Sequence, residues 1–305
     1  MIGRDRLAGM AALATLASCV GPPDTMPPSP PPAPVPAPAP QPAPVPQPAP
    51  AAFGALRGAM EQGGAVIGTA PEGTVSLSFD GDAIPVAPDG TFLIAFDRDH
   101  GPTAALEAAL ANGRRITRSL AVAPRAWDIS RLNTLPKYPV PSATFQRLRP
   151  PELAQIKAAR ATDHASDGWR QQFIWPVTGR ISTNFGSQRI YKGGEKGSYH
   201  SGTDVAVPSG TPVVAPADGV VILAADHPFT LEGNLLMIDH GMGLNSAFLH
   251  LSEIDVKVGD HVRQGQVIAR SGASGRATGP HLHWSLKWRD ARIDPRLVVG
   301  PMPGR

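Results

Sequence analysis

From Pro22 to Pro50 the chain alternates Pro with Ala or Val almost without a break, and no other feature limits its fold as strongly. Proline lacks an amide hydrogen and fixes φ, so such a run makes neither a helix nor a central strand and settles into extended polyproline II. At ~3.1 Å per residue the stretch reaches roughly 90 Å, which makes it a semi-rigid spacer. Any compact fold must therefore be built from the residues beyond Pro50. The 35 prolines in 305 residues are far above ordinary usage, but a hydrophobic content of 42% leaves enough apolar surface for two modest domains after the spacer.

The segment before the spacer reads as a processing signal, residues 1–18. Arg4 and Arg6 precede an apolar run from Leu7 to Ala17 that is too short to span a bilayer as a helix. It ends in Leu16-Ala17-Ser18-Cys19, which resembles the lipobox of bacterial lipoproteins, in which the Cys becomes the acylated first residue of the mature chain. Cys19 is the only cysteine, so no internal disulfide can form and a lipid-modified thiol fits. Residues 19–51 would then tether the protein to a membrane through a lipid anchor. The expected location is the cell envelope, facing the periplasm, with the outer membrane preferred. A net charge of +3, with no dense Lys/Arg block and no basic stripe interleaved with aromatics, argues against a nucleic-acid partner.

Residues 52–124 carry period-two patterning. Val75, Leu77 and Phe79 alternate with Thr74, Ser76 and Ser78 before a turn at Asp80-Gly81; Phe92, Ile94 and Phe96 come after a turn at Asp89-Gly90. Asn112-Gly113 is a two-residue hairpin signal. The reading is a small all-β domain of sandwich type, although Thr103 to Ala111 is Ala-rich enough to favour helix by propensity. Residues 125–172 read as a linker with a short helix that starts at Pro150-Pro151 and runs through Glu152 to Ala161, with Leu153 and Ile156 as apolar points. Residues 173–305 form a second β-rich domain, with turns at Thr178-Gly179, Asp218-Gly219 and Val258-Gly259-Asp260. The fold class is mainly β.

The chemistry-bearing residues all lie in this last domain. In the run His281 to Trp288, strand geometry sends His281, His283, Ser285 and Lys287 to one face and Leu282, Trp284, Leu286 and Trp288 to the other. In His200-Ser201-Gly202-Thr203-Asp204 a four-residue spacing lets one imidazole and one carboxylate face together, and Val205 and Val207 favour extended structure. Two His and one carboxylate suit a catalytic Zn²⁺ with an open water position. Strand geometry does not decide which imidazole of the His281-Leu282-His283 pair takes the metal. In Leu249-His250-Leu251 the alternation places His250 on the face opposite its two leucines.

These segments together resemble the lysostaphin-like or LytM-type zinc endopeptidases of bacterial cell walls. The similarity covers Phe173 to Val298 and rests on Ser182-Thr183-Asn184-Phe185-Gly186, His200-Ser201-Gly202-Thr203-Asp204, Ile238-Asp239-His240-Gly241, Phe248-Leu249-His250-Leu251 and Thr278-Gly279-Pro280-His281-Leu282-His283. The resemblance implies an antiparallel β domain with one Zn²⁺ per chain held by His200, Asp204 and His283. It leaves His250 and His281 beside the metal as catalytic proton carriers. The chain departs from the family pattern at Phe248, where Tyr is frequent, and at Ser285, where Glu is common. Tyr191 and Tyr199 are then candidates for the donor to a developing oxyanion.

By the same resemblance the expected activity is hydrolysis of peptide crosslinks in peptidoglycan by zinc-activated water, with peptidoglycan stem peptides as substrate. The alternative is a LytM-type envelope protein without catalysis that activates cell-wall amidases. Retention of all three ligands and both companion histidines favours the enzyme. Oligomeric state is not encoded in any motif.

Overall fold

A computed structural model describes residues 51–134 and 142–303, so the signal segment, Cys19 and the Pro-rich run lie outside the described residues. The first β region is built on tight hairpins. Asp80 and Gly81 both take left-handed φ, 48° and 90°, the geometry that joins Thr74–Phe79 to Asp82–Ile84. Gly113, with φ 80°, turns Thr103–Leu110 into Arg115–Ala121. Thr103–Leu110 is thus a strand despite its alanines. Its buried Ala104, Leu106, Ala108 and Leu110 alternate with more exposed positions, and this period-two burial outweighs helix propensity.

Two antiparallel sheets result. One runs Arg57–Gly58, Ala65–Thr69, Thr91–Ala95; the other runs Asp82–Ile84, Thr74–Phe79, Thr103–Leu110, Arg115–Ala121. Val75 does not join Leu77 and Phe79 in the core: it is 68% exposed where the register slips between Thr74 and Ser76. In Thr91–Ala95 both faces are buried, because the strand Ala291–Ile293 of the C-terminal region lies against it.

The helix extends further back than the prolines suggest. It spans Ala143–Arg160, with Pro150 and Pro151 inside it, because the Ser142 side chain accepts a hydrogen bond from the Phe145 amide and caps an earlier start. Ile129–Leu132, within the stretch read as linker, is a strand pairing in parallel with Gln188–Tyr191.

The C-terminal region is dominated by an eight-stranded sheet. Its order is His261–Val262, Gly219–Ala224, Asn234–Asp239, Leu244–Leu251, Leu282–Trp288, Thr203–Ala206, Arg180–Thr183, with Ala291–Ile293 also pairing to Leu282–Trp288. Every pairing is antiparallel. Leu282, Trp284, Leu286 and Trp288 fill one face and are nearly or fully buried, as the alternation in that run requires. A three-stranded sheet of Pro212–Val214, Val267–Arg270 and Glu253–Ile254 closes that side. The opposite face carries His283, Ser285 and Lys287, and the helix Ala143–Arg160 packs there through Ile156 and Ala159 onto Leu235, Met237 and Ala247.

One hydrophobic core links residues of the first β region, such as Phe79 and Phe96, to Trp284 and Trp288 of the large sheet. The described residues fall within one compact unit.

Candidate metal centre

The centre forms where three segments meet on the polar face of the large sheet. Asp204 lies in the strand Thr203–Ala206, directly opposite His283 of Leu282–Trp288, so their side chains share a face. His200 lies just ahead of that strand, and its position is set by the Ser182–Gly186 segment. The Gly186 amide donates to the His200 carbonyl at 2.8 Å, and the His200 amide donates to the Ser187 carbonyl at 2.8 Å. Phe185 anchors this segment between the rings of Trp127 and Tyr199. Gly186 has φ 80°, and a Cβ there would fall 2.1 Å from the Trp127 ring, so only glycine lets the segment close on His200.

Three lone-pair atoms converge. His200 Nε2 lies 3.0 Å from Asp204 Oδ1 and 2.9 Å from His283 Nδ1, and His283 Nδ1 lies 2.9 Å from Asp204 Oδ1. His200 Nδ1 sits 3.1 Å from the Asn184 carbonyl; only a donor can face a carbonyl, so the proton is on Nδ1 and Nε2 offers its lone pair. His283 is backed by Gly202, where a Cβ would meet the Trp284 carbonyl at 2.4 Å and His283 Nε2 at 2.7 Å. That explains the glycine in His-Ser-Gly-Thr-Asp. Burial would raise the Asp204 carboxyl, but the His200 and His283 imidazoles against its Oδ1 outweigh it and hold the group far below the usual carboxylate range. Burial lowers His283 and favours its neutral form.

The donor set fits a tetrahedral divalent ion. Bonds of ~2.0–2.1 Å to nitrogen and oxygen give ligand–ligand edges of about 3.3 Å, a few tenths wider than the separations found here. Two imidazoles and one carboxylate make the mixed nitrogen and oxygen set that zinc accepts with a fourth position open.

His250 and His281 complete the cluster without joining the triangle. Their rings are 4.8 Å apart, His250 is 6.2 Å from the His283 ring, and His281 Nε2 is 3.8 Å from Asp204 Oδ1. Each commits Nδ1 to a backbone carbonyl, Ser274 for His250 at 2.9 Å and Gly279 for His281 at 2.8 Å. Each therefore keeps a basic Nε2. Burial pushes His250 down to about 4, so its ring is neutral at pH 7.

The path that brings His250 here is not simple alternation. Leu249 pairs opposite His283 and lines the same cavity, so a regular strand would turn His250 to the other face. His250 instead takes φ 62°, a left-handed backbone that rotates it back beside Leu249 and toward the His283 ring. Nothing in the sequence signals this. Of the two tyrosines considered as oxyanion donors, Tyr199 donates its hydroxyl to Asp97 at 2.9 Å, and Tyr191 is 9% exposed.

An antiparallel β domain with a His, Asp, His triangle and two flanking imidazoles defines a metallopeptidase-type centre. Residues 198–295 match the model described as Peptidase family M23, and the C-terminal region is a LytM-type domain of that family. The chain is 47% identical over 123 residues to peptidoglycan DD-endopeptidase ShyA of Vibrio cholerae serotype O1, and 41% identical over 135 residues to ShyB of the same organism. Those matches cover 40% and 44% of this chain and 28% of each relative. The chain thus spans little more than a quarter of the length of these curated relatives. A crystal structure described as a putative peptidase M23 from Pseudomonas aeruginosa superposes with a TM-score of 0.59 at 29% identity, covering 79% of this chain and 95% of that one.

Proposed function

We propose that this chain is a zinc-dependent endopeptidase that hydrolyses peptide crosslinks of bacterial peptidoglycan, with His200, Asp204 and His283 as the metal ligands. The observation that carries the reading is the convergence of three side-chain atoms within 3.0 Å of one another, flanked by two imidazoles that commit Nδ1 to backbone carbonyls and lie 4.8 Å apart. The two ShyA-type relatives, named for endopeptidase action on peptidoglycan, supply the substrate class.

A zinc ion held there would lower the pKa of water and polarise the scissile carbonyl. His250, neutral near pH 7, takes the proton released as hydroxyl adds to the carbonyl carbon. As the C–N bond breaks, a proton passes to the departing amine nitrogen. His281, 3.8 Å from Asp204 and fixed through Nδ1 by the Gly279 carbonyl, is placed to relay that proton through its basic Nε2, donating toward the carbonyl oxygen or the amine once it has taken the proton up. We extend the same reading to the N-terminus: acylation at Cys19 and the Pro-rich run after it would hold the enzyme at the periplasmic face of a membrane while letting it reach the wall.

The test is mass spectrometry of purified crosslinked muropeptides incubated with zinc-loaded protein. Dimers should give two monomers with one water added per bond cleaved, and His200→Ala should leave the dimers intact. Intact dimers after incubation with zinc-saturated wild-type protein would overturn the reading.

A further inference from the structure

A cavity of about 170 Å³ opens beside the metal centre, between the sheet face that carries His283 and the helix Ala143–Arg160. Its charge is unbalanced. Lys287 and Arg292 are direct cross-strand partners, and Lys287 also pairs opposite Asn245, so all three lie in one row across neighbouring strands. Like charges placed opposite each other in this way repel. Arg160 descends from the helix onto the same row, donating from Nε to Asn245 Oδ1 at 3.2 Å. Burial, and next the charge of Arg292, disfavour the Arg160 guanidinium, so three cations converge where two already oppose one another.

The available anions do not neutralise them. Glu232, the carboxylate on the cavity wall, is held by Arg149, which meets both its oxygens at 2.6 and 2.8 Å and also reaches Glu152. Lys287 pairs with Asp290 at 3.1 Å, but that carboxylate is fully solvent-exposed and screened. Neither Arg160 nor Arg292 has an ion pair with a carboxylate among the described residues; the Arg292 guanidinium lies over the Tyr199 ring, 5.3 Å from its centroid. The same wall continues along one strand from His283 through Ser285 to Lys287. Four residues of strand cover about 13 Å, so the cations lie a few peptide units from the metal ligands.

We infer that Arg160, Lys287 and Arg292 form a carboxylate-binding subsite that reads a negative charge on the peptide a few units from the scissile bond. The inference rests on the endopeptidase reading and deepens it: the helix then supplies part of substrate recognition, not only a packing face. A peptide carboxylate satisfies the geometry because it is small enough for the cavity and accepts from several cations at once. It could be a C-terminal or a side-chain carboxylate.

The experiment uses zinc-loaded full chain and two matched pairs of fluorogenic crosslink peptides. One pair differs by a free C-terminal carboxylate against a carboxamide, the other by a side-chain carboxylate against its amide. In one pair the carboxylate form should have kcat/KM about 10-fold or more above the amide form, the size expected of a charge-assisted hydrogen bond. Arg160→Gln, Lys287→Met and Arg292→Gln should each raise KM for that carboxylate form and leave hydrolysis of the amide form in place. Arg292 is exposed, so its substitution keeps the fold and the test readable even if Arg160→Gln destabilises the chain. Equal loss on both forms, or an unchanged preference, would overturn the inference. Calorimetric titration with the same peptides separates the two claims. Tighter binding of the carboxylate form without hydrolysis of either would sink the endopeptidase reading alone, whereas equal binding of both forms would sink the subsite.

Discussion

His240 shows how a residue in a family-like motif can be wholly structural. It is fully buried, donates from Nδ1 to the Asp218 carbonyl at 2.7 Å, and accepts at Nε2 from the Ser246 hydroxyl at 2.7 Å; that hydroxyl in turn accepts from Trp284 Nε1 at 3.3 Å. A proton on Nε2 would break the chain of bonds, and burial accordingly pushes the ring down to about 4. The unfolded ring titrates near 6.5, so the unfolded state binds more protons between these values. The stability this contributes is fully present above about pH 6.5 and is lost as pH falls through the folded value, about 3 kcal/mol in all. Urea titrations of wild type and His240→Gln from pH 7 to pH 4 should show wild-type stability falling by roughly that amount relative to the variant, since Gln keeps both bonds without titrating. A constant difference would mean that the folded His240 ring protonates as readily as the unfolded one. At this scale the cluster of His200, Asp204 and His283 was anticipated through the resemblance of the motifs to a family pattern, while strand alternation alone did not separate His283 from His281. The left-handed turn at His250 was not, because no local residue pattern specifies φ 62° at a histidine.

At the scale of elements, turns were the most readable features. Asp80, Gly81 and Gly113 take left-handed backbone, and those residue types supply it at low cost. The helix was readable only in part. Its start depends on Ser142 capping, while Pro150 and Pro151, suited to a first turn, mark a false beginning. The strand Ile129–Leu132 is exposed along most of its length and lacks the alternation that marks a half-buried strand. The three cations of the cavity lie on three separate elements, and only the sheet register reveals that they meet. The helix is held on the sheet by Ile156, 8% exposed, among Phe229, Leu235 and Met237. Ile156→Ala should cost about 2–4 kcal/mol in denaturant unfolding, the range for a buried Ile truncation. A loss below about 0.5 kcal/mol, typical of surface changes, would mean that the helix is not docked in solution.

Across the whole molecule, the first β region and the large C-terminal sheet are joined by specific contacts. The Phe79 and Trp288 rings meet edge to face at 6.0 Å, Arg125 Nη2 lies 2.8 Å from Asp294 Oδ2, and Arg98 Nε donates to the Gly186 carbonyl at 3.0 Å. Arg98 thereby reaches the same segment that positions His200. Such coupling predicts one cooperative calorimetric transition for residues 51–303, with Arg98→Ala lowering it as a single peak. Two resolved transitions would show the regions to be independent. The β character of both regions was legible from alternation; their shared core was not, because alternation marks a buried face without naming what covers it.

We propose that His200, Asp204 and His283, and not their neighbours His250 and His281, hold the metal. Zinc content of purified, dialysed protein by inductively coupled plasma mass spectrometry tests it directly. One zinc per chain is expected in wild type, His250→Ala and His281→Ala, with loss of bound zinc in His200→Ala, Asp204→Asn and His283→Ala. Zinc retained in the last three variants, or lost equally in all five, would contradict it.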